Sequence, residues 1–164
     1  MINLLIACMS LTILTVTQQI PDNVPTYVIE EDCEMVLKFD DHFYWVSPDD
    51  EELICRCVMS EAGGESADCQ QAVATVILNR YFSPHYPNNF KEIIVPGQFS
   101  THNNGDVTDE VRLSVRMAIM NYGTMYQIVP YTCYYFRANH YHSFGIPYRH
   151  IDNTYFSLAE NASD

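Results

Sequence analysis

The chain has 164 residues, which suits one compact domain with extensions and not two full domains. Its 48% hydrophobic content supports a real core and excludes wholesale disorder. The formal net charge is −13 with no basic patch or stripe, which excludes nucleic acid as a partner and gives no attraction to anionic surfaces. A neutral or weakly charged polymer is easier to accommodate.

The acids are uneven: residues 1–50 hold nine of them against Lys38 alone. An apolar run from Leu4 to Val16, broken by Ser10, Thr12 and Thr15, has the length of a secretory h-region and is short for a membrane span. Export through a cleaved signal is the expectation, and an uncleaved anchor that holds the protein to the membrane is the alternative. No Lys or Arg precedes the run, and no clean small-x-small cleavage site comes after it. Residues 1–20 are therefore assigned to a signal or anchor segment and 21–46 to an acidic N-terminal extension. Within that extension the tract Phe43-Tyr44-Trp45-Val46 is apolar enough to pack on the domain C-terminal to it.

Ser47-Pro48-Asp49-Asp50 reads as a helix start, with a hydroxyl N-cap, Pro at the first helical position and an acid three residues after the cap. The helix runs to about Ser60 and is expected to end at Gly63-Gly64 through a left-handed glycine cap. Ile54, Cys57 and Val58 follow helical spacing on its buried face, and Glu61 continues the same stripe. A carboxylate on such a face must be paired or protonated, because its burial is otherwise costly. Glu61 is thus either a salt-bridged structural acid or a general acid.

Ser66 restarts a second helix. Cys69, Ala72, Val73, Val76, Ile77 and Arg80 lie on one side of it, with Ala74 and Leu78 on another, the pattern of a central helix. A short helix is expected around Phe90–Val95, then a turn at Pro96-Gly97-Gln98-Phe99-Ser100 and an irregular loop to Asp106. Thr108 caps a third long helix that buries Val111, Val115, Ala118, Ile119 and Tyr122 and stops at Gly123. Strands are expected near Gln127–Arg137 and Thr154–Leu158, joined by a link over Ala138–Asp152 rich in His, Tyr and Gly.

Three segments occur in a recognisable order: Ser60-Glu61-Ala62-Gly63-Gly64-Glu65, Val73 to Arg80, and Pro96 to Ser100, with Tyr134-Tyr135-Phe136 and Asn153-Thr154-Tyr155-Phe156 downstream. Together they resemble the SleB-type cell-wall hydrolases, the spore-cortex-lytic enzymes, over roughly residues 51–160. The resemblance implies an α+β, mainly helical, lysozyme/transglycosylase-like domain with a small C-terminal β element, occupying residues 47–160. It implies cleavage of peptidoglycan glycan strands, generally as a lytic transglycosylase, with Glu61 as acid/base and no cofactor. The final nucleophile would then be the muramic 6-hydroxyl, which yields a 1,6-anhydro product. A separate wall-binding domain, usual among the spore enzymes, is not expected within a sequence of this length.

The residues themselves agree at Glu61, since a glycosidic bond breaks only when the leaving oxygen receives a proton. Proton transfer supplies about 10²–10⁴-fold, so a second contributor is needed. Glu65 is one candidate, either at the substrate or as a structural partner of Arg80. Gln98 offers an amide to an N-acetyl group, Phe99 a face to a sugar ring or to the core, and Tyr135 an aromatic edge to the cleft. Strand alternation should send Tyr134 and Tyr135 in opposite directions.

His140, His142 and His150 could together present three imidazoles, but the segment lacks a helical His-Glu-x-x-His arrangement, and metal binding is not expected. Cys57 and Cys69 read as small core hydrophobes. Cys8, Cys33, Cys55 and Cys133 leave disulfide pairing open. Two rivals remain: an N-acetylmuramoyl-L-alanine amidase, which would ordinarily need a metal, and a wall-binding protein without activity. Oligomeric state is not legible.

Overall fold

The computed structural model describes residues 35–39, 42–100 and 106–160. The signal or anchor segment, most of the acidic extension, Cys8, Cys33 and the loop 101–105 lie outside them. The order of elements is a hairpin of β1 (Met35–Phe39) and β2 (His42–Val46), helices α1 (Pro48–Ala62), α2 (Ala67–Phe82), α3 (Phe90–Ile93) and α4 (Asp109–Asn121), then strands β3 (Cys133–Ala138), β4 (Ile146–Ile151) and β5 (Thr154–Leu158). The fold is α+β and mainly helical, with a small three-stranded antiparallel sheet at its C-terminal end in the order β3-β5-β4.

Each long helix begins where a hydroxyl can accept from an orphan amide. Ser47 takes the Asp50 N–H, Ser66 that of Cys69 and Thr108 that of Val111. Helix α2 is buried from Ala72 to Arg80 without a break, so it is the axis on which α1, α4 and β3 pack. Asn79, within it, donates to the carbonyls of Pro130 at 2.8 Å and Cys133 at 2.9 Å, tying the axis to the start of β3. Helices α1 and α4 are joined at one side by Arg116–Glu51 at 2.7 Å and Arg112–Glu52 at 2.9 Å. The hairpin adds Met35, Leu37 and Val46 to the same core. Phe39 also meets Phe82, Tyr122 and Tyr131 at ring separations of 5.3 to 5.4 Å.

Several local expectations are corrected. Gly63 ends α1 in right-handed conformation, φ −62°, and not through a left-handed cap. Glycine is needed there because a Cβ would lie 2.5 Å from the Met59 carbonyl oxygen. Helix α1 also runs past Ser60, so Glu61 occupies its last turn. The first expected C-terminal strand is shorter than 127–137, since turns occupy the chain until Cys133. The link 138–152 is not all loop, for it contains β4. That strand is an edge strand exposed along nearly all its length, so it carries no alternation of apolar and polar residues to reveal it.

Candidate active site

Two acids of α1 face inward and meet different fates. Glu51 is 3% exposed and is neutralised by Arg116. Glu61, half-buried three turns later, has its Oε1 bound by the backbone N–H of Ser100. The protein therefore grips this carboxylate with a neutral dipole, where Glu51 has a cation.

Ser100 arrives there because the chain folds back after α3. The amides of Gln98 and Phe99 both donate to the Val95 carbonyl, at 3.1 and 3.2 Å, and Gly97 takes φ +89° inside the turn they close. That left-handed step costs a side chain about 1–2 kcal/mol and glycine very little. Phe99 is driven inward to 5% exposure, while Gln98 stays at the surface.

Behind the loop stands Arg80, 6% exposed on the last turn of α2. Its Nε and Nη2 both donate to the Tyr134 carbonyl, at 3.0 and 2.8 Å, and Nη1 donates to Gln98 Oε1 at 3.2 Å. Its guanidinium lies 4.7 Å over the Phe99 ring and 5.2 Å over that of Tyr86. Burial lowers its pKa, yet a guanidinium so placed remains a cation. The pairing of Glu65 with Arg80 expected from sequence is replaced by these contacts. Glu65 Oε2 instead accepts from the Asn153 amide at 3.4 Å, beside the turn where Asp152 takes both the amide and hydroxyl of Ser66 at 2.8 and 2.5 Å. The β4–β5 turn is thus clamped over the break between α1 and α2.

A bulge between Cys133 and Tyr135 interrupts the alternation expected of β3. In consequence the rings of Tyr134 and Tyr135 meet edge to face at 6.4 Å, both half-buried, and Phe136 turns to the core against Phe99 and Phe156. Tyr86 packs 5.5 Å from Tyr134 and lies beside Tyr135. Burial is the main reason the Tyr86 phenol is pushed up to about 12. Beneath Glu61, burial raises the Cys57 thiol far above its ordinary range, and the Glu61 charge adds to it, so this sulfur is no nucleophile.

Structure therefore brings Glu61, Gln98 and Tyr135 into one continuous set of contacts, places Phe99 beneath it, and seats Glu65 at the edge with a structural partner. Arg80, Tyr86, Ser100 and Tyr134 were not singled out for the site from sequence. Arg80 could have been, because it continues the buried stripe of α2 just as Glu61 continues that of α1. The histidines do not converge: His142 Nε2 lies 3.0 Å from the Phe136 carbonyl oxygen, and His150 stacks on Tyr155. Among the described residues no three His, Cys, Asp or Glu side chains converge as metal ligands.

A family model described as Cell Wall Hydrolase matches residues 64–157, more than half of the chain. The chain belongs to the cell wall hydrolase family. The match begins just after Glu61, so the case for that residue is geometric. Among solved structures, the chain is similar to the catalytic domain of the Bacillus cereus SleB protein, at 26% identity and a TM-score of 0.56 over 68% of this chain and 91% of that one. It shares its fold with the catalytic domain of the germination-specific lytic transglycosylase SleB from Bacillus anthracis, at 24% identity and a TM-score of 0.55 over 68% and 95%. Comparison with curated proteins gives no match. These likenesses establish the lysozyme-like, mainly helical fold and a cell-wall hydrolase; no described helix is long and apolar enough to cross a membrane.

Proposed function

We propose that this cell-wall hydrolase is exported and cleaves the glycan strand of peptidoglycan as a lytic transglycosylase, with Glu61 as general acid and then base. The observation that carries the reading is the hold of the Ser100 amide on Glu61 Oε1 at the end of a core helix, on the same loop whose Gln98 and Phe99 meet Arg80. With Oε1 fixed, Oε2 is the oxygen that carries the proton. It delivers that proton to the glycosidic oxygen as the bond from C1 breaks. The muramic 6-hydroxyl then attacks C1 and returns its proton to Glu61, so that a 1,6-anhydro ring forms, no water is consumed and the carboxyl group is restored.

Gln98 supports this role through its orientation. Arg80 holds its Oε1, which leaves Nε2 to donate to an N-acetyl carbonyl. Tyr135 supplies an aromatic edge to a sugar ring, Phe99 acts from below by holding Arg80, and Glu65 shapes the cleft edge through Asn153. The similarity to a lytic transglycosylase catalytic domain favours anhydro-sugar formation over hydrolysis.

Mass spectrometry of digested peptidoglycan tests the proposal. Wild type should release 1,6-anhydro-muramic fragments, and Glu61→Gln should release them about 10²–10⁴-fold more slowly. Reducing ends would mean hydrolysis, stem peptides would mean an amidase, and equal rates for the two proteins would remove Glu61 from the mechanism.

A further inference from the structure

Beyond Tyr135 the aromatic wall continues into the segment between β3 and β4. The ring of Phe144 lies 5.2 Å from Tyr135, edge to face, and stacks on His142 at 4.6 Å and 30°. His142 in turn sits 6.2 Å from Tyr135 and is pinned by Nε2 against the Phe136 carbonyl. Phe144 nonetheless remains 49% exposed.

This ring is held in place. Gly145, next in the chain, has φ +79°, and a Cβ on it would meet the Leu158 carbonyl oxygen at 2.7 Å and Tyr135 Cδ2 at 3.4 Å. Its amide donates to Glu160 Oε1 at 3.3 Å. The backbone beside Phe144 is therefore pressed flat on the sheet, and the ring is fixed from one side by an imidazole and a phenol. A large apolar face kept in water by such supports loses little conformational entropy when a ligand covers it.

We propose that Phe144, seated on His142 and Tyr135, is a stacking platform for a pyranose ring of the glycan strand, at a subsite distal to the cleaved linkage. The inference rests on the glycan reading above and extends it to polymer length. A pyranose presents a C–H face to an aromatic ring, and Phe144 offers such a ring with the His142 imidazole stacked beside it. Continuity decides the occupant, since an unbroken series of ring contacts leads from Tyr86 and Tyr134, beside Arg80, through Tyr135 to Phe144.

The test uses the full chain carrying Glu61→Gln, so that binding is read without turnover. Calorimetric titration with N-acetylglucosamine disaccharide and hexasaccharide compares this parent with versions that also carry Phe144→Ala, Phe144→Trp or His142→Ala. Phe144→Ala should weaken hexasaccharide binding roughly fivefold to tenfold and leave the disaccharide unchanged. Phe144→Trp should keep hexasaccharide affinity, and His142→Ala should lose part of it. An unchanged thermal midpoint confirms that the exposed ring is not needed for folding.

Equal hexasaccharide affinity in parent and Phe144→Ala would overturn the platform while leaving glycan cleavage standing. A parent that binds neither oligomer would also overturn it. Length-dependent loss in a protein whose wild type releases no glycan fragments would support the platform and sink the proposed reaction alone.

Discussion

Arg80 spends two of its donors on a single acceptor, the carbonyl of Tyr134, 54 positions away in the chain. The strand end and the buried helix are thereby locked together, and the remaining arm of the guanidinium reaches Gln98. One cation thus sets the relation between α2, β3 and the loop that grips Glu61.

Substitution at Arg80 should therefore affect stability and rate together. Arg80→Ala removes charged hydrogen bonds and leaves a void beneath Phe99 and Tyr86, and is expected to cost about 2–4 kcal/mol in chemical denaturation. Arg80→Lys restores charge without the planar fork, and should recover less than half of that loss. In the surviving folded fraction kcat on peptidoglycan should fall more than KM rises, because the loop that orients Glu61 is released. A variant with wild-type kcat and stability would show that the bridge is idle.

The clamp of the β4–β5 turn makes a prediction about acid. Hydrogen bonds from the hydroxyl and amide of Ser66 hold the Asp152 carboxyl below its usual range. A carboxyl whose folded pKa is depressed stabilises the protein above its unfolded pKa of about 3.9, and that contribution fades as pH falls through the folded value. Asp152→Asn keeps the left-handed conformation at φ +50° accessible, because Asn tolerates it. Melting temperatures of wild type and Asp152→Asn should differ near neutrality and converge as the pH drops below about 4. A constant difference across that range would assign the clamp no charge component.

At the alkaline end the buried thiols take over. Burial pushes Cys55 up to about 12, Cys69 to about 11 and Cys133 to about 12, and moves Cys57 in the same direction. A group with a raised folded pKa contributes fully below its unfolded pKa, about 8.5 for a thiol, and the contribution is lost as pH climbs toward the folded value. The melting temperature should fall above about pH 8.5, and substitution of the four cysteines by Ala or Val should blunt that fall. With an aromatic disulfide at neutral pH, peptide mapping should find all four unlabelled until denaturant is added. Rapid native labelling at Cys57 would contradict its place in the core.

Much of this architecture is legible in the sequence. Ser47-Pro48, Ser66 and Thr108 start helices because local side chains satisfy local amides, and Gly123 takes φ +79° in the turn that follows α4 after its extended C-cap Tyr122. The stripes of α2 and α4 are buried as their spacing requires. Strand β4 lacks a signal because an exposed edge has no periodicity, and the β1–β2 hairpin because it is embedded in an acidic stretch. The cap at Gly63 was misread because its constraint is a close approach to Met59 and not a dihedral angle. At the site, Glu61 was visible as an acid on an apolar stripe, whereas Ser100 acts through its backbone amide, a group every residue but proline carries.

Sequence alone determined the helices, their buried faces and the acid at position 61, because each depends on neighbours within one or two helical turns. Only tertiary structure decided that Arg80 serves Tyr134 and Gln98 and leaves Glu65 to Asn153, and that a bulge turns Tyr134 and Tyr135 together. The hydrogen bonds among these join residues 18 to 88 positions apart. Which donor meets which acceptor across such spans is set by how the helices and sheet pack around α2, and no local pattern of residue types encodes it.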